Sequence, residues 1–281
     1  MEYRLLRWFG HQNWIRFGIR NRLLRALLQP DRIQSCEFQT NYFGLSYHGN
    51  LNNYIDWMIY FFGAYERQTL FLLRDLLQGK QHGVFLDVGA NIGAHSLFMS
   101  KYAGSIHSFE PYELVRSSLE TNVSNNAINN ITIHPYALGN RSEEILYYAP
   151  TGFNMGTGSF VESHDAANNA AFMKLKVVKG DDYLAANGIE HINLIKIDVE
   201  GFEKSVLEGL KDSLKRFRPI VFMEYSELTK NTIGTFEGFM ELFPENYTIQ
   251  KFNSNDNRYW LSKFDFNSSG GDIVLIPCEV S

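Results

Sequence analysis

The chain has 281 residues, 44% of them apolar and 20% charged, and carries a net charge of −5. That size supports one large domain, with or without an extension, and a core that needs no staples. The acidic balance excludes nucleic-acid binding by bulk electrostatics, and Cys36 and Cys278 alone make neither a disulfide framework nor a zinc site.

Two free thiols fit a reducing compartment. No small-residue cleavage site follows an unbroken apolar core, so the cytoplasm is the expected location. The best apolar run, Tyr54 to Tyr65, is interrupted by Asp56 and is too short to span a bilayer. Residues 1–32 stand apart in charge, with seven arginines against Glu2 and Asp31. They read as helical up to Pro30, with Trp14, Ile15, Phe17, Leu23, Leu24, Leu27 and Leu28 among the arginines. One reading is an interfacial helix touching the inner face of an anionic membrane; the other is a helix docked on its own domain or on a second subunit. At about 3.6 residues per turn Arg16, Arg20, Leu23 and Leu27 share a ridge, so charge and apolar surface are not cleanly separated.

Tyr42-Phe43-Gly44 sits between two extended stretches in residues 36–49 and predicts a hairpin. Residues 54–63 and 66–79 predict two helices around Gly63-Ala64-Tyr65. From residue 83 strands and helices alternate. Strands are predicted at 84–88, 105–109, 131–138, 192–199 and 219–223. Helices are predicted around 94–102, 114–123, 206–217 and 234–243. Residues 143–148, 172–179, 247–252 and 272–276 read as extended, and residues 253–271 as a loop. This alternation implies a doubly wound, mostly parallel α/β sheet, with an N-terminal helical and hairpin extension over residues 1–65 and the sheet domain over 66–281.

In such a sheet ligands bind beyond the carboxyl ends of the strands. The strand at 84–88 ends in Asp87-Val88-Gly89-Ala90-Asn91-Ile92-Gly93. Gly89 permits close backbone approach to a ligand, Gly93 permits tight helix packing, and the N–H groups of the following turn are candidates to bind an anion. The spacing is not G-x-G-x-x-G, which argues against an NAD-linked enzyme. An acid at position 87 repels a pyrophosphate but suits an ammonium or sulfonium group. The next strand ends in Glu110-Pro111, where a carboxylate can accept two ribose hydroxyls. A single acid at a strand end is ordinarily a cap or a surface residue; here two acids and two glycines agree in register.

These residues resemble the FkbM-type methyltransferase family. The resemblance rests on Phe85 to Gly93, Phe109-Glu110-Pro111, Ile195 to Glu203, Pro219 to Glu224, and Gly63-Ala64-Tyr65-Glu66. It implies a class I, Rossmann-like methyltransferase fold with a seven-stranded sheet. It also implies S-adenosylmethionine as cofactor and methyl transfer to a hydroxyl of a sugar, in a surface polysaccharide or glycolipid, or of a polyketide or other natural product. Carried over residue by residue, it places Glu66, Asp87, Gly89, Ala90, Asn91, Gly93, Glu110, Pro111, Ala137 and Asp198 at the cofactor.

A hydroxyl is a poor nucleophile, so a general base is expected. Asp198 comes first and Glu224 second, because both end neighbouring strands. Lys196 lies two residues before Asp198 and so faces the same side, where it can hold a carboxylate ionised. Glu200 and His95 are candidate acceptor contacts, and His134 is expected near the pocket. Glu203 is either a further base or an acid complementing a helix dipole. Asp198, Glu200 and Glu224 are also considered as an oxygen site for Mg²⁺. The Gly-rich stretch from Asn154 to Ser159 is read either as a border of the acceptor pocket or as an ordinary hairpin loop. A cofactor-binding scaffold without activity, docked at a membrane, is the reading from a different class.

Overall fold

Two apolar faces on one set of strands decide the architecture. Along β3 (Val84–Val88), Phe85 packs into one buried cluster while Leu86 and Val88 pack into another. β9 (Leu194–Ile197) repeats this, with Leu194 on the first face and Ile195 and Ile197 on the second. Strands apolar on both faces belong inside a sheet covered by helices on both sides.

The computed structural model describes residues 3–28, 33, 35–80, 82–150, 158–160, 171–267 and 270–278. The chain opens with α1 (Arg4–Gly10), α2 (Phe17–Leu27), a hairpin of β1 (Glu37–Tyr42) and β2 (Leu45–Asn50), α3 (Tyr54–Phe62) and α4 (Arg67–Leu77). After β3 come α5 (Ala94–Met99), β4 (Ser105–Phe109), α6 (Glu113–Asn125), β5 (Ile131–His134), β6 (Ala137–Gly139), β7 (Glu143–Ala149), β8 (Ala171–Lys179) and α7 (Gly180–Ala186). β9 then leads to α8 (Glu203–Gly209), α9 (Lys211–Phe217), β10 (Ile220–Tyr225), α10 (Glu227–Ile233), α11 (Phe236–Met240), β11 (Tyr247–Ser254), β12 (Tyr259–Lys263) and β13 (Gly271–Pro277).

The main sheet runs β12-β11-β13-β10-β9-β3-β4-β5. Pairing is parallel from β10 through β9, β3 and β4 to β5, and antiparallel among β10, β13, β11 and β12. The doubly wound class expected from the sequence is therefore present, with eight strands instead of seven. The additional strand, β12, lies where a loop was expected. Asn255 makes it possible: its side chain accepts from the backbone N–H groups of Asn257 and Arg258, closing a turn that folds β12 back on β11. The stretch 131–138 is two strands. Pro135 interrupts the ladder, because it has no N–H to donate, and β6 joins β8 and β7 in a separate three-stranded sheet. The helix expected over 206–217 is divided into α8 and α9, while α7 and α10 went unread.

The N-terminal elements are packed onto the sheet domain. Tyr42 Oη donates to the Ala94 carbonyl at 2.9 Å, and Asn122 of α6 and Asn126 at its C-terminal cap clasp the backbone of His48 and Ser46. α1 and α2 rest on α3 around Leu24, Trp57, Phe61 and Phe62. Residues 1–2 and 29–32, part of the predicted N-terminal helix, lie outside the described residues.

The strand order reverses at β3 and β9, so the crevice of a doubly wound fold opens above their tips. A polar row crosses the sheet just below it. Ser108, Asp87 and Lys196 are register partners on adjacent strands, and all three are buried. Lys196 Nζ lies 3.5 Å from Asp87 Oδ1, and Ser96 Oγ donates to Asp87 Oδ2 at 2.6 Å. Removing one member of such a pair strands the other charge in the core. Lys196→Met is expected to cost about 3–5 kcal/mol, read as a lowered urea midpoint, with Asp87→Asn in the same chain restoring part of the loss. An unchanged midpoint for the single variant would show that the pair does not hold the strands.

Candidate active site

The loop after β3 turns sharply. Gly89, Asn91 and Gly93 have positive φ values of 80°, 52° and 84°. A Cβ on Gly89 would sit 1.9 Å from the Asp198 carbonyl oxygen, and one on Gly93 would sit 2.2 Å from Leu119 Cδ1. Side chains at these positions would force the loop off β9 and the helix start off α6. The N–H groups of this loop are spent internally. Gly89 and Ala90 donate to the Phe109 carbonyl, Asn91 donates to Glu110 Oε2, Ile92 to its neighbour Asn91 Oδ1, and Gly93 to the Ala90 carbonyl. The loop is thereby stitched to the tip of β4.

One cleft lies over this loop and has two halves that share Gly89, Asn91, Asp198 and Glu200. The first half is mostly apolar, walled by Phe109, Pro111, Leu138, Tyr147, Phe160 and Phe202 and reaching Ala137. Glu110 closes it. Its carboxylate accepts the N–H groups of Asn91 and Tyr112, both at 2.9 Å, and burial pushes its pKa up to about 7. The second half is rich in carboxylates. Glu66, Asp198, Glu200, Glu224 and Asp272 surround Lys196 and His95, with Ile55, Tyr65 and Phe222 as apolar lining.

Charge balance governs the second half. Lys196 Nζ contacts Asp198 Oδ2 at 3.3 Å and the Gly89 carbonyl at 3.2 Å. Burial would lower its pKa, but the charges of Asp198 and Asp87 overcome this and raise it. His95 Nε2 lies 3.3 Å from Glu66 Oε2. Burial opposes ionisation of Glu66, yet the close approach of His95 holds its pKa below the usual carboxylate value. The other carboxylates have no such partner among the described residues. Burial and the nearby Asp198 and Glu224 push Glu200 up to about 8. Burial and Asp198 push Glu224 up to about 7. Burial, with Glu66 and Asp198 close by, carries Asp272 well above its ordinary range. Glu224 Oε2 is buried without a hydrogen-bond partner, an atom poised for a proton or a polar ligand group.

Most residues singled out from the sequence thus meet in one cleft, with four exceptions. Asp87 lies one layer below, fully buried and answered by Lys196 and Ser96, so it shapes the loop and does not face a ligand. Gly93 packs on Leu119 outside the lining. His134 lies beside the cleft, as expected, but does not line it: it stacks on the wall residue Phe109 and bonds His107 and Tyr183. Glu203 accepts the N–H groups of Val199 and Gly201 and the hydroxyl of Thr229, which makes it a tie for the β9–α8 turn and no base. Among the described residues no three His, Cys, Asp or Glu side chains converge to hold a metal ion, so the Mg²⁺ alternative has no donor set here.

The sequence reading missed Asp272, Tyr65, Tyr147, Phe160 and Phe202. Asp272 is the register partner of Glu224 across the antiparallel β10–β13 pair; an antiparallel reading of β13 would have placed it. Of the Asn154–Ser159 stretch, residues 154–157 lie outside the described residues. Gly158 lines the apolar half, and Ser159 Oγ donates to the Glu200 carbonyl at 2.6 Å.

Comparison with known proteins gives the family. The Methyltransferase FkbM domain matches residues 87–257. Hexuronic acid methyltransferase AglP of Haloferax volcanii is 30% identical over 141 residues, covering 50% of this chain and 55% of AglP. The chain thus spans about half the length of that relative. The 31-O-demethyl-FK506 methyltransferase FkbM of Streptomyces tacrolimicus is 30% identical over 193 residues, covering 55% of this chain and 74% of that protein. The crystal structure of methyltransferase FkbM from Methylobacillus flagellatus KT aligns with a TM-score of 0.45 at 16% identity, over 70% of this chain and 45% of that one. With a domain match across the two strand tips, the tie at Glu203 and most of the cleft, the chain belongs to the FkbM methyltransferase family.

Proposed function

We propose that the cleft binds S-adenosylmethionine and that the protein is an O-methyltransferase acting on a sugar hydroxyl, in a surface polysaccharide or glycolipid. The observation that carries this reading is the division of one cleft into an apolar half closed by Glu110 and a carboxylate-rich half around Lys196. A flat base suits the walls of Pro111, Leu138 and Phe160. Each Glu110 oxygen accepts one loop N–H and keeps a lone pair for a ribose hydroxyl. Ammonium and sulfonium charges suit the carboxylates at the other end. The name of AglP, a hexuronic acid methyltransferase, supports a sugar acceptor, and that of the 31-O-demethyl-FK506 enzyme supports transfer to oxygen.

S-adenosylmethionine, when bound, supplies a methyl group already activated by its positive sulfur. The chain must then align a hydroxyl and take its proton. Alignment in a closed cleft contributes up to roughly 7–11 kcal/mol in the most favourable intramolecular cases. Glu224 Oε2 is the better placed proton acceptor, because it is buried without a partner, whereas Asp198 Oδ2 is occupied by Lys196. Asp198 and Lys196 then position the acceptor side, and Ile55, Tyr65 and Phe222 restrict water.

Two outcomes follow. A base must be ionised to accept a proton, and the raised pKa of Glu224 leaves it protonated below about pH 7. Radiolabelled methyl transfer to candidate glycans is therefore expected to fall with falling pH through that value. Glu224→Gln should lower kcat by about 10²–10⁴-fold and abolish that acid limb; full activity in Glu224→Gln and in Asp198→Ala would remove the proposed site. Glu110→Ala should raise KM for S-adenosylmethionine by roughly 10–100-fold, the loss of hydrogen bonds to a charged group, with kcat much less affected. An unchanged KM would place the nucleoside elsewhere.

A further inference from the structure

The outward side of α1 and α2 is unusual for a protein surface. Leu5, Trp8, Trp14, Ile19, Leu23 and Leu27 are between 47% and 82% exposed. Scattered single apolar residues need no explanation, but six in one short stretch, two of them tryptophan, do. The inward side is already used, by Leu6, Phe9, Phe17, Leu24 and Leu28 against α3. The exposed set therefore is not the core-facing half of an ordinary amphipathic helix.

The charges are arranged around it. Arg4, Arg16, Arg22 and Arg25 are exposed, and residues 3–28 contain no acidic side chain, in a chain of net charge −5. On sequence alone Arg20 spoils the separation, because it shares a ridge with Leu23 and Leu27. In the fold Arg20 is buried, its guanidinium donating to the Gly10 carbonyl and lying over the Phe62 ring. With Arg20 turned inward, the exposed side of α2 carries Ile19, Leu23, Ala26 and Leu27 along one stripe and Arg22 and Arg25 beside it, at about 100° per residue. Apolar side chains with interfacial tryptophans, edged by arginines, match a lipid surface bearing negative headgroups. No described helix is long and apolar enough to cross a membrane.

We propose that the outward face of α1 and α2 docks this protein on an anionic bilayer surface, with Trp8, Trp14, Leu23 and Leu27 in the interface and Arg4, Arg16, Arg22 and Arg25 at the headgroups. α3 links this face to the cleft, because Ile55 lines the carboxylate-rich half while Trp57, Phe61 and Phe62 support α1 and α2. The docking does not depend on the function proposed above.

The test is flotation of the full chain with vesicles of phosphatidylcholine alone and of phosphatidylcholine mixed equally with phosphatidylglycerol, without cofactor or acceptor. The protein is expected to float with the anionic vesicles only, and less as salt is raised. Trp14→Ala with Leu23→Ala should weaken partitioning by about tenfold or more, and Arg22→Ala with Arg25→Ala by a similar factor. All four side chains are exposed, so urea midpoints should not change. Absence of flotation, or flotation indifferent to both double variants, overturns the proposal. So does a dimer in sedimentation equilibrium that is lost in the tryptophan–leucine variant while vesicles capture nothing, since the face would then be covered by a second copy. Methyl transfer to a soluble acceptor should be unchanged in these variants, so a failure to bind lipid and a failure to methylate are separable.

Discussion

A lysine buried at the centre of a parallel sheet constrains everything above it. Removing an ammonium from water costs several kcal/mol unless opposite charge and hydrogen bonds answer it in good geometry. Lys196 is answered by Asp87 on the adjacent strand, by Asp198 just past the end of its own strand, and by the Gly89 carbonyl. Each of these contacts depends on the register that sets Asp87 opposite Lys196. A one-residue slip of β9 would point Lys196 into the opposite apolar face, so the charge and the register enforce each other. The Gly89 turn then lies against the Asp198 carbonyl with no room for a side chain. The floor of the cleft follows from that arrangement.

The same lysine accounts for the polarity of the cleft. One ammonium and one imidazole face five carboxylates, and among the described residues the ammonium lies close to Asp198 and the imidazole to Glu66. Glu200, Glu224 and Asp272 are left in a desolvated, like-charged setting that raises their pKa values. A site so built favours a ligand that arrives with positive charge and favours proton transfer near neutrality. The opposite end is chemically distinct. Glu110 is surrounded by apolar side chains and bound to backbone N–H groups, a setting for hydroxyl recognition. Two titratable regions with different partners, joined through Gly89 and Asn91, suit the proposed ligand, a molecule that is apolar, polyhydroxylated and cationic along its length.

How much of this was legible in the sequence depended on the range of the interaction. The strand tips at Asp87, Glu110, Asp198 and Glu224 were readable because apolar runs ending in an acid mark buried strands in a local window. The shared side of Lys196 and Asp198 followed from the period of two along a strand. What could not be read was non-local. Asp272 enters the cleft only because β13 runs antiparallel beside β10, and Phe160, Tyr147 and Phe202 meet through ring contacts between separate elements. Asp87 reads as a ligand-facing acid and Glu203 as either a base or an acid complementing a helix dipole, yet each is fully buried among protein partners. Residue type and position at a strand end do not reveal which way a carboxylate's partners lie. Arg20 makes the same point in reverse, since only the fold shows that it is turned inward.

The central claim is that one cleft, divided at Gly89 and Asn91, seats a sulfonium nucleoside with its sugar at Glu110 and its charged end among the carboxylates around Lys196. The most direct test is a crystal structure with S-adenosylhomocysteine. The ribose hydroxyls should lie within hydrogen-bond distance of the Glu110 carboxylate, the base between Pro111 and Leu138, and the sulfur on the side of Asp198 and Glu224. A nucleoside bound away from Glu110, or one bound with its base among Glu66, Glu224 and Asp272, would contradict the claim.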